Sequence, residues 1–240
     1  MDEVQRVPTL FNYLQGILDK SKKNGQFILS WSSRFTLNQS ISQSLAGRVG
    51  IVQLLPLSIS ESINGNVLPE KLNDILFNGS YPGILAEGSN PVNWLNSYIQ
   101  TYVEKDVRQL LKINDIDTFR RFISLCAGSI GSLLNLNRMA NDCSIRVSTA
   151  SSWLSILRSS YICYTIQPHH ENFRKRIVKT PKLYFYDTGL ASRFLGIQNS
   201  DQLDIHPMRG HLFENLVISE LYKECYNAFF TYFNCDCFFG

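Results

Sequence analysis

The fold of the longest part of this chain can be inferred from residues 135–160, NLNRMANDCSIRVSTASSWLSILRSS. Asn135 is a residue type that caps helices, and a short helix is predicted to follow it. A turn over residues 144–147 then leads to Ser148, which is predicted to cap a second helix. Four apolar residues of the second helix have helical spacing and are expected to face inward: Ala150, Trp153, Leu154 and Leu157. The pattern predicts a helix-turn-helix.

The outer face of the second helix is expected to be small or basic. It carries Arg146, Thr149, Ser151, Ser152, Ser155 and Arg158. Short hydroxyl side chains together with basic ones suit a helix that enters the major groove of DNA.

A two-stranded hairpin is predicted to follow the helix-turn-helix. Residues 161–167 and 182–186 have strand patterns, and residues 169–176 (HHENFRKR) form a basic loop between them. A helix-turn-helix followed by such a hairpin predicts a winged helix. Its nucleic-acid-binding residues would be Arg146, Arg158, Arg174, Lys175 and Arg176. Because winged helices also serve as packing or protein-binding modules, a DNA partner and a protein partner both stay open.

The first part of the chain has the pattern of a parallel α/β sheet. Residues 9–23 show the apolar spacing of a helix, and the apolar runs at 27–29 and 51–55 are predicted to be buried strands. A first strand that ends at the acidic residues Asp2 and Glu3, the helix and a second strand together form a strand–helix–strand unit. The expected fold class is therefore an α/β N-terminal part followed by a mostly α region that contains the winged helix (α+β).

The C-terminal part contains two motifs with alternative interpretations. Asp187-Thr188-Gly189 is the signature of aspartic proteases, but that chemistry needs two such carboxylates on all-β lobes, so a strand-to-helix turn is favoured. Residues 209–226 are predicted to form an amphipathic helix, and its Glu214 and Glu220 would need further carboxylates to make a metal-dependent nuclease site. The apolar side of this helix is expected to contain Leu212, Phe213, Leu216, Val217 and Leu221.

Composition limits the class of protein. Of the 240 residues, 44% are hydrophobic and 18% are charged, which is typical of a globular chain. The balance of 23 Lys and Arg against 20 Asp and Glu is too even to imply nucleic-acid binding by itself. The six cysteines include no Cys-x-x-Cys pair and are expected to be reduced thiols. Because neither a membrane-spanning run nor a secretory signal is present in this sequence, a cytoplasmic protein without membrane association is expected.

The acidic pair Asp2-Glu3 has two interpretations. P-loop ATPases end a catalytic strand with such a pair, whose Asp holds Mg²⁺ while the Glu orients the attacking water. Two adjacent acids can equally be a charged terminus, and spacing alone favours this second interpretation. No glycine in the sequence is followed by Lys-Ser or Lys-Thr, so these 240 residues contain no phosphate-cradling P-loop.

Five stretches carry a resemblance to a known group of proteins. They are residues 2–8 (DEVQRVP), 42–48 (SQSLAGR), 98–108 (YIQTYVEKDVR), 184–190 (YFYDTGL) and 209–215 (RGHLFEN). With these stretches the sequence resembles a prokaryotic group of AAA-family ATPases that carry a C-terminal domain of unknown function with a winged-helix part and a nuclease-like end. ATP and Mg²⁺ are the cofactors of the intact family.

The resemblance implies roles in nucleotide chemistry for individual residues of the N-terminal part. Asp2 and Glu3 match the Walker B pair, with Asp2 directed to Mg²⁺ and Glu3 to the attacking water. Ser32 or Ser33 matches the polar residue of the sensor region. Arg48 matches an arginine that could reach the γ-phosphate, in cis or from a neighbouring subunit.

The resemblance also implies a domain organisation. A partial AAA domain that lacks the P-loop would span residues 1–59, and a helical connector would span 60–114. The winged helix would span 115–186, and the start of the nuclease-like part would span 187–240. We therefore expect an AAA-type ATP-binding protein, truncated at both ends, that alone neither binds ATP tightly nor hydrolyses it. The alternative is a non-enzymatic winged-helix module that binds DNA or a protein partner, and a homo-oligomer is compatible with either.

Overall fold

The computed structural model describes residues 4, 7, 9–21, 23, 25–30, 50, 54–103, 115–168 and 180–228. The chain divides into two compact units, Met1–Leu54 and Leu55–Gly240.

The first unit contains helix α1, Leu10–Lys20, at the position where a helix is predicted. Phe11 of this helix is buried together with Val4, and Leu29 packs against them. The prediction of a buried strand at 27–29 is wrong: the described residues 26–30 form no strand, and Ile28 is 86% exposed. The backbone bond from Val4 N–H to Ser30 O, 3.3 Å, does not give this segment the ladder of hydrogen bonds that a sheet requires.

The second unit begins with four short helices. These are α2 (Ile59–Asn64), α3 (Leu72–Asn78), α4 (Pro82–Leu85) and α5 (Pro91–Tyr98). Asn90 caps α5 by accepting a hydrogen bond from Asn93 N, and Pro91 occupies the first helical position, where its missing N–H costs nothing. A π-helical turn, Ile99–Val103, continues α5.

Three helices and two strands lie in the described residues 115–168 and 180–185. They are α6 (Ile116–Ala127), α7 (Leu136–Asp142), α8 (Val147–Ser159), β1 (Cys163–Ile166) and β2 (Lys182–Phe185). Asn135 caps α7 as predicted, through its side chain and Arg138 N. The predicted cap Ser148 is wrong, because α8 already begins at Val147, after the extended residue Arg146. Asp115 caps α6, since its carboxylate accepts the hydrogen bond of Thr118 N.

The two strands form an antiparallel pair in which Tyr164 faces Tyr184 and Cys163 faces Phe185. The segment between α6 and α7 also reaches β2, through isolated bridges from Ile130 to Leu183 and from Leu133 to Lys182. Short connections therefore join α7 to α8 and α8 to β1, and the segment between α6 and α7 also pairs with the two-stranded sheet.

The described part of the unit closes with helix α9 (Thr188–Phe194), a 3₁₀ turn (Ser200–Asp204) and the long helix α10 (Arg209–Ala228). Tyr222 of α10 stacks on Tyr164 of β1, with ring centroids 4.6 Å apart, so α10 packs against the hairpin. In the core, Trp153 of α8 meets the edges of Phe119 and Phe122 of α6.

The prediction of a single apolar side for α10 is wrong. Leu212 and Leu216 are buried, whereas Phe213, Val217 and Leu221 are between 43% and 48% exposed. Successive residues of a helix are about 100° apart, so the centre of Phe213, Val217 and Leu221 lies about 120° around the helix from the centre of Leu212 and Leu216, beyond the side that faces the core. None of the described helices is long and apolar enough to cross a membrane.

Candidate functional site

Helix α8 presents a row of hydroxyl groups on its exposed face. Ser148, Ser151, Ser152 and Ser155 are exposed, and Ser159 is half-buried. Ala150, Trp153, Leu154 and Leu157, which the sequence predicts to face inward, are all buried, and Ile156 is buried with them. The inner face therefore holds α8 in the core, and the serine face is open to solvent.

Two arginines lie at the ends of α8. Arg146 directly precedes the helix, Arg158 lies in its last turn, and both are exposed. Twelve helical steps separate the two residues by about 18 Å along the axis. Arg158 also lies where the negative end of the helix dipole favours a cation. The remaining predicted nucleic-acid-binding residues, Arg174, Lys175 and Arg176, lie outside the described residues.

The serine hydroxyls on this face are partly engaged within the helix. Ser152 Oγ donates to Ser148 O at 3.0 Å, and Ser159 Oγ donates to Ser155 O at 2.8 Å. Each hydroxyl oxygen can still accept a hydrogen bond. Because the side chains are short, another molecule can approach the helix backbone closely along this row.

The residues assigned to nucleotide chemistry all lie outside the described residues. They are Asp2, Glu3, Ser32 and Arg48. Their roles stay predictions.

Asp187 occupies a strand-to-helix turn, and that prediction for the Asp187-Thr188-Gly189 motif is confirmed. Its carboxylate caps α9 by accepting from Leu190 N at 2.7 Å. The same carboxylate accepts from Ser80 N at 2.7 Å and from Ser80 Oγ at 3.1 Å. Asp187 is 1% exposed, and burial raises the pKa of its carboxyl group against the lowering effect of these hydrogen bonds. This carboxylate therefore holds two segments together and is not open to a substrate.

Two glycines permit this close contact. A Cβ atom on Gly79 would lie 2.8 Å from Asp187 Cγ, and a Cβ atom on Gly189 would lie 2.6 Å from Asn78 O. Gly79 also has a φ of +70°, a conformation that residues with a side chain rarely adopt. The loop after α3 and the turn before α9 thus require glycine at both positions.

Lys223 completes this buried polar cluster. Its ammonium group donates to Leu57 O at 2.9 Å, to Ser80 Oγ at 3.0 Å and to Glu220 Oε1 at 2.9 Å. Glu220 Oε2 in turn accepts from Ile59 N at 2.6 Å, at the start of α2. Every donor of the buried lysine has a partner, so the cluster ties α10 to the start of the unit. Sequence reasoning missed Lys223, and the only signal was a lysine on the inner side of an amphipathic helix, three residues after a glutamate.

Glu214 is the other acid that the sequence assigned to a nuclease-like site. Its Oε1 accepts from Tyr184 OH at 2.7 Å and lies 3.2 Å from Lys182 Nζ. The hydrogen bond from the Tyr184 hydroxyl is the main cause of the lowered pKa of Glu214. The part of the chain that the structure describes contains no group of three His, Cys, Asp or Glu residues able to hold a metal ion.

Asn215 makes an unusual contact with β2. Its Oδ1 accepts from Phe185 N at 2.7 Å, and its Nδ2 donates to Phe185 O at 3.0 Å. The side-chain amide therefore bonds one backbone residue of the strand in the way that a neighbouring strand would. Both residues are fully buried.

Comparison with known proteins places these features in a family. A model described as "Domain of unknown function (DUF8612)" matches residues 69–201, more than half of the chain. The chain belongs to the DUF8612 family. The DUF8612 match extends from the residues before α3 to the 3₁₀ turn after α9, and so contains the serine face of α8 and the Asp187 turn.

A second model, described as "AAA domain", matches residues 1–63. The N-terminal part of this DUF8612 member is therefore AAA-like, and the match includes Asp2, Glu3, Ser32 and Arg48.

Two curated relatives share both parts of the chain. They are the uncharacterized protein Rv2008c of Mycobacterium tuberculosis (strain ATCC 25618 / H37Rv) and the uncharacterized protein Mb2031c of Mycobacterium bovis (strain ATCC BAA-935 / AF2122/97). Each is 30% identical over 223 residues, which are 92% of this chain and 49% of the relative. The chain thus spans about half the length of the curated relatives it matches. No solved structure matches the chain significantly.

Proposed function

We propose that this DUF8612 member is part of an ATP-binding protein of the AAA type. The observation that carries the proposal is the AAA match over residues 1–63. In the proposed site Asp2 directs Mg²⁺, Glu3 orients the attacking water, and Arg48 reaches the γ-phosphate. Ser32 supplies the polar sensor group of the same site.

The 240-residue chain by itself is proposed to be inactive in hydrolysis. The sequence contains no Gly-Lys-Ser or Gly-Lys-Thr, and the backbone and lysine of that loop make most contacts to the β and γ phosphates in P-loop ATPases. Without those contacts the phosphates are not positioned for in-line attack, and positioning supplies a large part of the rate. ATP and Mg²⁺ would then bind this chain weakly at most.

The test is Mg²⁺-dependent phosphate release by the purified chain, measured beside the Glu3→Gln variant. We expect the two proteins to give the same background rate. The exposed Glu87→Gln variant is a matched control for the loss of one carboxylate. Hydrolysis that requires Mg²⁺, disappears in Glu3→Gln and persists in Glu87→Gln would refute the proposed inactivity. The AAA assignment itself would be supported by that result.

A second candidate function is binding of DNA by a winged helix in residues 115–186. The serine face of α8, with Arg146 and Arg158 at its ends, supports it, because serine and arginine side chains are common donors to phosphate oxygens. The antiparallel hairpin after α8, and the segment before α7 that bridges to β2, have the order of elements that a winged helix requires.

This candidate is tested by fluorescence anisotropy with a labelled DNA duplex over a range of salt concentrations. Replacement of Arg146 or Arg158 by alanine should lower the slope of log affinity against log salt by about one for each residue. A combined Arg174→Ala and Lys175→Ala variant should lower it further. Arg120→Ala, an exposed change on α6, should leave the slope unchanged. Absence of binding at low salt would exclude DNA and leave a protein partner.

A further inference from the structure

Helix α10 has apolar side chains on two sides, whose centres lie about 120° apart around the helix. One side is packed in the core through Leu212 and Leu216. The other side presents Phe213, Val217 and Leu221, which are spaced by four residues and are 48%, 44% and 43% exposed. We call these three residues the outer stripe. Three large apolar side chains in one row on a surface helix, each between 43% and 48% exposed, form an uncovered apolar patch, and such patches mark contact surfaces.

The outer stripe lies around the helix from the packed residues and points away from them. With about 100° between successive residues, Val217 lies about 130° from the centre of the side formed by Leu212, Leu216 and Ser219. From Phe213 to Leu221 the stripe extends about 12 Å along the axis, which is roughly two helical turns.

Two opposite charges lie at the ends of the outer stripe. Arg209 begins α10 and is exposed, and Glu224 is exposed near the other end. The helical period places both on the same flank of the stripe. Arg209 uses its Nε atom to donate to Asn73 Oδ1, which leaves its terminal nitrogens open to another acceptor. Among the described residues Glu224 makes no ion pair.

The outer stripe, with Arg209 and Glu224 near its ends, is complementary to the same surface of a second copy of the chain. When two such helices pack antiparallel about a two-fold axis at Val217, Phe213 of each copy faces Leu221 of the other. In the same register Arg209 of each copy approaches Glu224 of the other, because a two-fold axis brings like flanks together. A parallel pairing would instead place like charges side by side. We propose that the outer stripe of α10 is the interface of a homodimer, with a second copy of this chain as its occupant.

The first test is the mass of the full chain in solution, measured by sedimentation equilibrium over a concentration series. We expect a monomer–dimer equilibrium, and Val217→Asp should shift it to the monomer, 27.5 kDa for the wild type. Ile205→Asp changes a residue that is 90% exposed outside the stripe and should leave the equilibrium unchanged. Circular dichroism of each variant verifies that the fold is retained.

The second test examines the register. Arg209→Glu and Glu224→Arg should each weaken dimerisation, and the double variant should restore it, because exchanged charges attract in the antiparallel pair. In a background with Cys225, Cys235 and Cys237 replaced by serine, Val217→Cys should cross-link to its own copy on oxidation. A cysteine at position 213 should cross-link only to a partner that carries one at position 221.

Three outcomes would overturn the proposal. A chain that is monomeric throughout the series would mean that something other than a second copy covers the stripe. A dimer that survives Val217→Asp would place the interface elsewhere. Charge-exchange variants that fail to compensate, together with no cross-link at position 217, would exclude the antiparallel register.

Discussion

Replacement of Asp187 by alanine gives the sharpest test of how the second unit is held together. The Asp187 carboxylate accepts two backbone hydrogen bonds, from Ser80 N and Leu190 N, both at 2.7 Å. It also accepts the hydroxyl hydrogen bond of Ser80. Alanine leaves both backbone N–H groups without this acceptor in a place where Asp187 is 1% exposed.

The expected cost follows from these bonds. A buried donor that loses its partner costs about 1–3 kcal/mol, so two such donors give about 2–6 kcal/mol of lost unfolding free energy. The cost of placing a carboxylate in the core, which is also the cause of its raised pKa, offsets part of this amount. We expect a net loss of about 2–4 kcal/mol, a large share of the stability of a typical domain.

Urea unfolding followed by tryptophan fluorescence measures this loss, because Trp94 and Trp153 both lie in the second unit. Asp187→Ser is the matched variant, since a serine can still cap α9 through Leu190 N but is too short to reach Ser80. Asp187→Ser should lose less unfolding free energy than Asp187→Ala, and the difference between the two variants measures the contribution of the helix cap. An alanine variant that loses under about 1 kcal/mol would refute the structural role of the carboxylate.

Three further predictions concern the same unit. Gly79→Ala should destabilise more than Gly196→Ala in urea unfolding, because both glycines have positive φ but only the first would bring a Cβ against a carboxylate; equal losses would contradict the close contact. Asn215→Leu should cost about 2–6 kcal/mol, since Phe185 would lose a partner for its N–H and its C=O. The lowered pKa of Glu214 means that its ionised form stabilises the fold above its ordinary value of 4.5 and that this contribution is lost as the pH falls through the lower folded value. Glu214→Gln should therefore flatten the decrease of unfolding free energy as the pH falls below about 5, and an unchanged pH profile would contradict it.

The parts of the fold that the sequence predicts are those with local causes. Asn90 with Pro91, and Asn135, begin helices through contacts within three residues, so type and position are readable from the sequence. The inward side of α8 is readable for the same reason, because Ala150 and Trp153 lie at helical spacing. The prediction of Ser148 as a cap is wrong because the helix begins one residue earlier, at Val147, and does so without a side-chain cap.

The parts that the sequence does not predict depend on distant contacts. Lys223 bonds Leu57 O across 166 positions, and no local pattern indicates that pairing. The apolar run at 27–29 has the composition of a strand, but composition does not supply the neighbour that a strand needs. For α10, an apolar residue on the surface and one in the core look alike in the sequence, so Phe213 and Val217 were assigned to the wrong side.

The contact between Asn215 and Phe185 has a consequence for aggregation. An uncovered strand presents unpaired N–H and C=O groups that can add a strand from another molecule. Here the side-chain amide of Asn215 in α10 bonds both the N–H and the C=O of Phe185, so α10 blocks that position of β2 from pairing with another strand. Detachment of α10 would uncover it, next to the apolar side chains of Leu183 and Tyr184. The packing of α10 against β2 therefore prevents strands of other molecules from pairing with the hairpin at this position.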